Sequence, residues 1–197
     1  MKKSSKKDYK PKKCRQCGKE FKPFNSMQKV CSVECAVKDS RETTEKNRKK
    51  RVSEMRKGLR DSDRSFWLKK TQTIFNKFIR LRDEKDNCIS CGKNLDHLSA
   101  NAIHAGHFRS VGATRDALRF NEMNCHKQCG YCNTYLSGNI KGYRPNLIEK
   151  IGLDNVEWLE KDHKPVKLTI DDLKKIHEKY KLKVKELESD KGEGSRG

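Results

Sequence analysis

The sequence predicts a small, zinc-stabilised α+β protein, with an N-terminal zinc-knuckle module and flanking helices. Eight of the nine cysteines fall into paired spacings, Cys14/Cys17 with Cys31/Cys35 and Cys88/Cys91 with Cys129/Cys132. The segment enclosed by the second quartet alternates and turns like a short hairpin, and apolar residues on either side of it recur at helical spacing. Only 32% of the 197 residues are apolar, too few for one large core, so bound metal has to supply part of the folding free energy.

The net charge is +20, and it is concentrated at the front. Residues 1–60 hold 21 Lys and Arg against 7 Asp and Glu, while residues 61–197 hold 26 against 20. Such an excess repels itself unless a polyanion compensates it, and a phosphate backbone is the expected partner ahead of a membrane surface. A membrane span would need about 20 consecutive apolar residues, and no run approaches that. The lysine-rich start has no apolar segment behind it, so no secretory signal is expected and the cysteines should stay reduced. Reduced cysteines in paired spacings point to thiolate ligation. A two-residue spacer lets one knuckle place two sulfurs on a single tetrahedral zinc, and four thiolates leave no open position for catalysis. The leftover thiol, Cys125, is read as a packed side chain.

Along the chain, residues 1–13 read as a basic disordered tail and 14–36 as the first four-cysteine zinc module. Residues 37–61 form a polar linker helix carrying Arg48, Lys49, Lys50 and Arg51. Ser62 or Asp63 can cap the next helix, whose Phe66, Trp67, Ile74, Phe75, Phe78 and Ile79 share one side. Residues 102–109 and 117–121 look like two strands with a turn between them. The run after Cys129 suggests a short helix ending near Asn139. Residues 62–155 thus make the main domain and 156–189 a helical region, in which Thr169 and Asp172 form a capping box. Residues 190–197 read as a polar tail.

The segment inside the second quartet concentrates the remaining chemistry. It holds His104 and His107 in IHAGHFRS, and Asn124, His126, Gln128 and Asn133 in NCHKQCGYCN. Residues i and i+3 of a regular strand face opposite ways, so a bulge at Gly106 is needed to bring both histidines to one side. Asn133 follows the last zinc ligand directly, and the knuckle should orient its side chain.

The pattern of a CxxC, a strand ending in His107, then Asn124, then a CxxC followed at once by Asn133 resembles the HNH endonucleases. That resemblance implies a ββα-metal core. More narrowly, AGHFRS, LRFNEMN and QCGYCNTYLSGN resemble the NinG (Rap) proteins of lambdoid phages over about residues 85–155. The family is linked to recombination and to cleavage of branched DNA such as Holliday junctions and D-loops. The resemblance implies His107 as the base that activates water, Asn124 as the asparagine that steadies the hairpin, and Asn133 as a ligand of the catalytic metal. NinG relatives commonly read DAGH where this chain has His104 in the aspartate position. His104 then becomes the second ligand. The catalytic ion is expected to be Mg or Mn, but an imidazole suits softer ions than magnesium, so either the preference shifts toward Mn, Ni or Zn, or a carboxylate such as Asp116 enters the site.

The expected cofactors are two structural zinc ions and one catalytic divalent ion. His126 and Gln128 are read either as supporting hydrogen-bonders around the site or as DNA contacts, with simple packing beside the knuckle the alternative for His126. Arg109, Arg115, Arg119 and Lys127, with the basic run Arg48 to Arg51, are the expected phosphate contacts. The function expected is a metal-dependent, structure-selective endonuclease in the host cytoplasm. Paired cuts in a branch imply a homodimer, with the linker helix, the aromatic helix and the C-terminal helix as candidate interfaces. Two other readings remain open: a non-catalytic zinc-finger recombination adaptor that binds DNA, and a transcriptional regulator using the first quartet.

Overall fold

A computed structural model describes residues 9–193, and side-chain surroundings as far as residue 190. The chain divides between Leu59 and Arg60 into two compact units. Most of the N-terminal tail and the last four residues lie outside the described range.

In the first unit, β1 (Lys12–Lys13) pairs antiparallel with β2 (Glu20–Phe21). Lys12 and Lys13 are therefore strand residues, and the tail expected through residue 13 ends sooner. Between the strands the run CRQCGK folds into a knuckle. The Gly18 amide donates to the Cys14 carbonyl at 2.9 Å, and Gly18 takes φ +74°, a conformation that only glycine adopts freely. Helix α1 (Val33–Asp61) starts before the expected Val37, since Ser32 Oγ accepts the Cys35 amide at 3.2 Å and so caps it. No described side chain of α1 is buried, as its polar composition requires.

In the second unit Asp63 caps α2 (Arg64–Arg82), and Thr169 and Asp172 exchange hydrogen bonds at the start of α5 (Ile170–Glu193). The two helices pack together. Phe75, Phe78 and Ile79 of α2 meet Tyr180 and Val184 of α5 in one buried cluster, with Cys125 in the same cluster. The apolar stripes of α2 and α5 are thus satisfied within the chain. Helix α5 continues to Glu193, past the expected polar tail at residue 190.

Strand β3 (Ile103–His107) pairs antiparallel with β4 (Cys125–Cys129), from Ile103 opposite Cys129 to His107 opposite Cys125. This corrects the expected second strand at 117–121. Residues 110–121 instead form successive tight turns, with backbone bonds such as Thr114 to Ser110 and Asn121 to Leu118. Asn121 Oδ1 then accepts the amides of Met123 and Asn124 and sends the chain into β4. Leu118 and Phe108 are buried with Tyr143 and Leu147 of α3 (Ile140–Ile151) and Val156 and Leu159 of α4 (Leu153–Glu160). Gly142 lets α3 lie directly on the Ser90 carbonyl, which a Cβ would overlap. The helix expected after Cys129 is a π-helical turn, Tyr131–Tyr135.

Candidate metal and nucleic-acid site

Both cysteine quartets converge, with the sulfurs of each lying within 4.8 Å of one another. Cys17 and Cys31 are 3.6 Å apart, Cys31 and Cys35 3.7 Å, and Cys91 and Cys129 4.0 Å. A tetrahedron with zinc–sulfur bonds of about 2.3 Å has edges of about 3.8 Å, so both quartets fit a structural zinc. The same turn recurs in the second knuckle, CISCGK, where the Gly92 amide donates to the Cys88 carbonyl at 2.8 Å and Gly92 has φ +69°. Burial opposes ionisation of Cys14, yet the amides of Cys17, Cys31 and Gln16 bring its thiol down to about 6. Cys88 is lowered in the same manner by the amides of Cys129, Cys91 and Ser90 against its burial. Each quartet therefore has one sulfur whose surroundings favour the thiolate that zinc needs.

The ladder β3–β4 pairs residues one to one, so the bulge expected at Gly106 is absent. Gly106 answers a different need. A Cβ there would overlap Gln128 Oε1 and stand 3.1 Å from Asn133 Oδ1. His104, Gly106 and Gln128 share one face of the hairpin, and His104 Nδ1 accepts from Asn133 Nδ2 at 2.9 Å. Tyr143 donates to the Gly106 carbonyl at 3.0 Å. Gln128 is fully buried, and its Nε2 donates to Ser90 Oγ and to the Gly138 carbonyl. Its Oε1 has no donor among the described residues. Two amide oxygens thus face a common space with no proton between them, an arrangement that a cation would satisfy. The donors that face this space are the two amide oxygens; the His104 imidazole stands beside them with Nδ1 taken by the Asn133 amide, and no carboxylate joins them. Asp116, the carboxylate considered for this place, is bound by Arg119 at 2.7 Å and approached by Arg64 at 3.9 Å.

His107 lies on the opposite face of β3, so the two histidines do not converge. Its Nε2 donates to the Arg119 carbonyl at 2.8 Å, its ring packs 6.3 Å from that of Phe75, and Nδ1 is 3.9 Å from Cys125 Sγ. Burial, helped by the Arg119 charge and opposed by the carbonyl bond, holds its pKa below the ordinary 6.5. The ring is therefore neutral at pH 7, with its lone pair on Nδ1. Asn124 is fully buried and clamps the hairpin: its Oδ1 accepts from the Arg109 amide at 2.8 Å and its Nδ2 donates to the carbonyls of Arg109 and Leu118.

His126 belongs to a network that the sequence reading missed. Asp83, buried at the end of α2, accepts from Arg82, from Lys150 and from the Lys127 amide. Burial opposes the charge on Asp83, but the Arg82 guanidinium paired with it at 2.8 Å overcomes that and holds the carboxyl far below its usual range. His126 Nδ1 lies 3.4 Å from that carboxylate and 2.9 Å from Arg82 Nη2. Burial lowers the His126 pKa, so the contact with Asp83 is not an ion pair at neutral pH; Arg82 donates to Nδ1 instead. The signal available in the sequence was Arg82-Asp83 just ahead of the Cys88 knuckle, two charges at the end of an otherwise apolar-striped helix.

The expected DNA contacts divide. Lys127 is corrected: it is 3% exposed and its ammonium donates to the Glu84 carbonyl, because its strand position faces the interior. Arg119 is held by Asp116 and Gln72, and Arg109 reaches the Glu160 carbonyl at 3.3 Å. Arg115 is exposed, as are Arg48, Lys49, Lys50 and Arg51 on α1, where Glu45 pairs with Arg48 at 2.7 Å. No helix among the described residues is long and apolar enough to cross a membrane.

The sequence profile of a family described as Bacteriophage Lambda NinG protein matches residues 6–190. Protein ninG of Salmonella phage P22 is 36% identical over 212 aligned positions, covering 99% of this chain and all of the relative. Protein ninG of Escherichia phage lambda is 36% identical over 197 positions, covering 91% and 94% of the two chains, and that of Escherichia phage 933W is 34% identical over 200, covering 93% and 96%. No solved structure matches. With both knuckle pairs inside a match that runs nearly end to end, the chain belongs to the NinG family of bacteriophage proteins.

Proposed function

We propose that this protein is a metal-dependent endonuclease that hydrolyses phosphodiester bonds in branched DNA. The observation that carries the reading is the approach of Asn133 Oδ1 and the unpartnered Gln128 Oε1 to one another across Gly106, with His104 bound to Asn133 beside them, on a hairpin framed by the second cysteine quartet. Asn133 and Gln128, joined by His104 once its Nδ1 releases the Asn133 amide, would hold the catalytic ion, and a donor set that includes an imidazole suits manganese, nickel or zinc better than magnesium. When bound, such an ion neutralises charge on the phosphoryl oxygens and the departing oxygen. His107, which the Arg119 carbonyl holds in one tautomer in its packed position, supplies the proton acceptor once its ring is released. To share a water with the His104 face, its ring has to swing off Phe75. The exposed basic residues of α1 and Arg115 bind backbone phosphates. Two cuts call for two copies, and the exposed Met55 and Leu59 of α1 supply an apolar contact for a homodimer.

The packing of His107 against Phe75 and Cys125 favours a second reading, a zinc-framed adaptor that binds branched DNA without cutting it. Incubating wild type and His107→Ala with a four-way junction and a series of divalent ions separates the two. The enzyme reading expects metal-stimulated nicks from wild type and at least a roughly hundredfold loss in the variant. A band shift without product at any ion establishes the adaptor, and equal cutting by the variant removes His107 from the chemistry.

A further inference from the structure

The π-helical turn that carries the zinc ligand Cys132 and Asn133 also carries two tyrosines turned to solvent. Tyr131 is 62% and Tyr135 79% exposed, and their rings lie 5.9 Å apart at 31°. An apolar groove of about 490 Å³ adjoins them, lined in part by Leu95, Leu98, Ala102 and Leu136. No Asp or Glu is among its lining residues, whereas Lys93 is. The pair begins beside the candidate metal site: a Cβ on Gly130 would stand 3.5 Å from His104 Nε2.

Tyrosine is enriched where one side of the ring meets a partner, and π-helical turns are rare and occur frequently at functional sites. Here Cys132 ties the turn to a zinc-capable quartet and the two exposed rings already lie against one another, so part of the ordering cost is met before any ligand arrives. The excess of 26 Lys and Arg over 20 Asp and Glu in residues 61–197, with Lys93 and no carboxylate lining the groove, selects a polyanion carrying flat, neutral groups. A paired duplex hides its base faces inside the stack. An unpaired nucleotide exposes them.

We propose that Tyr131 and Tyr135 form a stacking platform for an unpaired nucleobase of DNA, next to the residues that would hold the catalytic ion. Only the neighbouring ion site rests on the endonuclease reading; the platform itself concerns binding. It supplies the structural selectivity, since a branch point or bulge offers an unstacked base and a plain duplex does not.

The probe is DNA with a three-nucleotide bulge bearing one 2-aminopurine, mixed with the full-length zinc-loaded protein without added divalent ion. Stacking quenches the fluorophore, and the double variant Tyr131→Ala/Tyr135→Ala should lose the quench and bind bulged DNA about tenfold more weakly. Its affinity for the matched duplex should stay unchanged, and Tyr131→Phe/Tyr135→Phe should behave as wild type. Zinc content and thermal midpoint equal to the parent's verify the fold, since both rings are exposed. An alanine variant that quenches normally overturns the platform, and so does an equal loss on bulged and matched DNA. Loss of self-association in the alanine variant, read by sedimentation, would assign the tyrosines to a second copy and also overturn it. Tyrosine-dependent quenching with no cleavage at any metal leaves the platform standing and removes the nuclease reading.

Discussion

Asn133 Nδ2 donates to His104 Nδ1 at 2.9 Å, tying the first residue after a zinc ligand to the middle of β3. One bond thus joins the metal-held turn to the hairpin, and it turns the Asn133 oxygen toward Gln128 Oε1 across Gly106.

His104→Asp tests the consequence for metal choice. A carboxylate in place of the imidazole adds a hard, charged donor, so magnesium affinity should rise and the preference for manganese over magnesium should narrow by about tenfold or more. Titration calorimetry with each ion on zinc-loaded protein measures it. Unchanged affinities for both ions would remove His104 from the site.

The cysteines should separate by role. Zinc analysis is expected to give two ions for wild type, one for Cys14→Ser and one for Cys88→Ser, with Cys88→Ser also losing the cooperative melt of the second unit. Cys125→Ala should keep both ions and lose about 1 kcal/mol in urea unfolding, since the thiol is wholly buried among Phe75, Phe78 and Tyr180, touches His107 Nδ1 and belongs to neither quartet. Loss of zinc from Cys125→Ala would contradict this division.

Asn124→Ala should cost about 2–4 kcal/mol, because it strands the Arg109 amide and two carbonyls in the interior. Limited proteolysis should then cut within residues 110–121 in the variant and spare them in wild type. Equal protection in both would mean that another contact holds the loop.

Stability should fall as pH drops below about 6.5, the ordinary histidine value. Burial, followed by the Lys70 charge, lowers the His177 pKa, and burial lowers that of His107. The unfolded chain then binds more protons than the folded one below about pH 6.5, so the slope of stability against pH is positive there. Comparing wild type with His177→Gln at about pH 7.5 and about pH 5.5 isolates the contribution, since zinc release is common to both. The variant should lose less stability between the two values, and an identical loss would contradict the assignment.

Local chemistry is what the sequence determined by itself. A C-x-x-C-G-K run closes the same turn wherever it occurs, because its bonds lie within one short run of residues. The Asp63 cap and the Thr169 box likewise start helices from within one turn, and the apolar spacing of α2 and α5 follows from the helical period. Tertiary structure decided the pairing partner of β3 and everything that depends on it. Whether 117–121 or 125–129 lies against 103–107 is settled by which residues fill the core beneath α3 and α4, not by alternation in either segment. That register then sends His107 toward Phe75, buries Lys127 and leaves Gln128 Oε1 facing Asn133. A strand's two faces alternate residue by residue, so the side chain's destination is fixed only when the partner strand and the packed layers are in place.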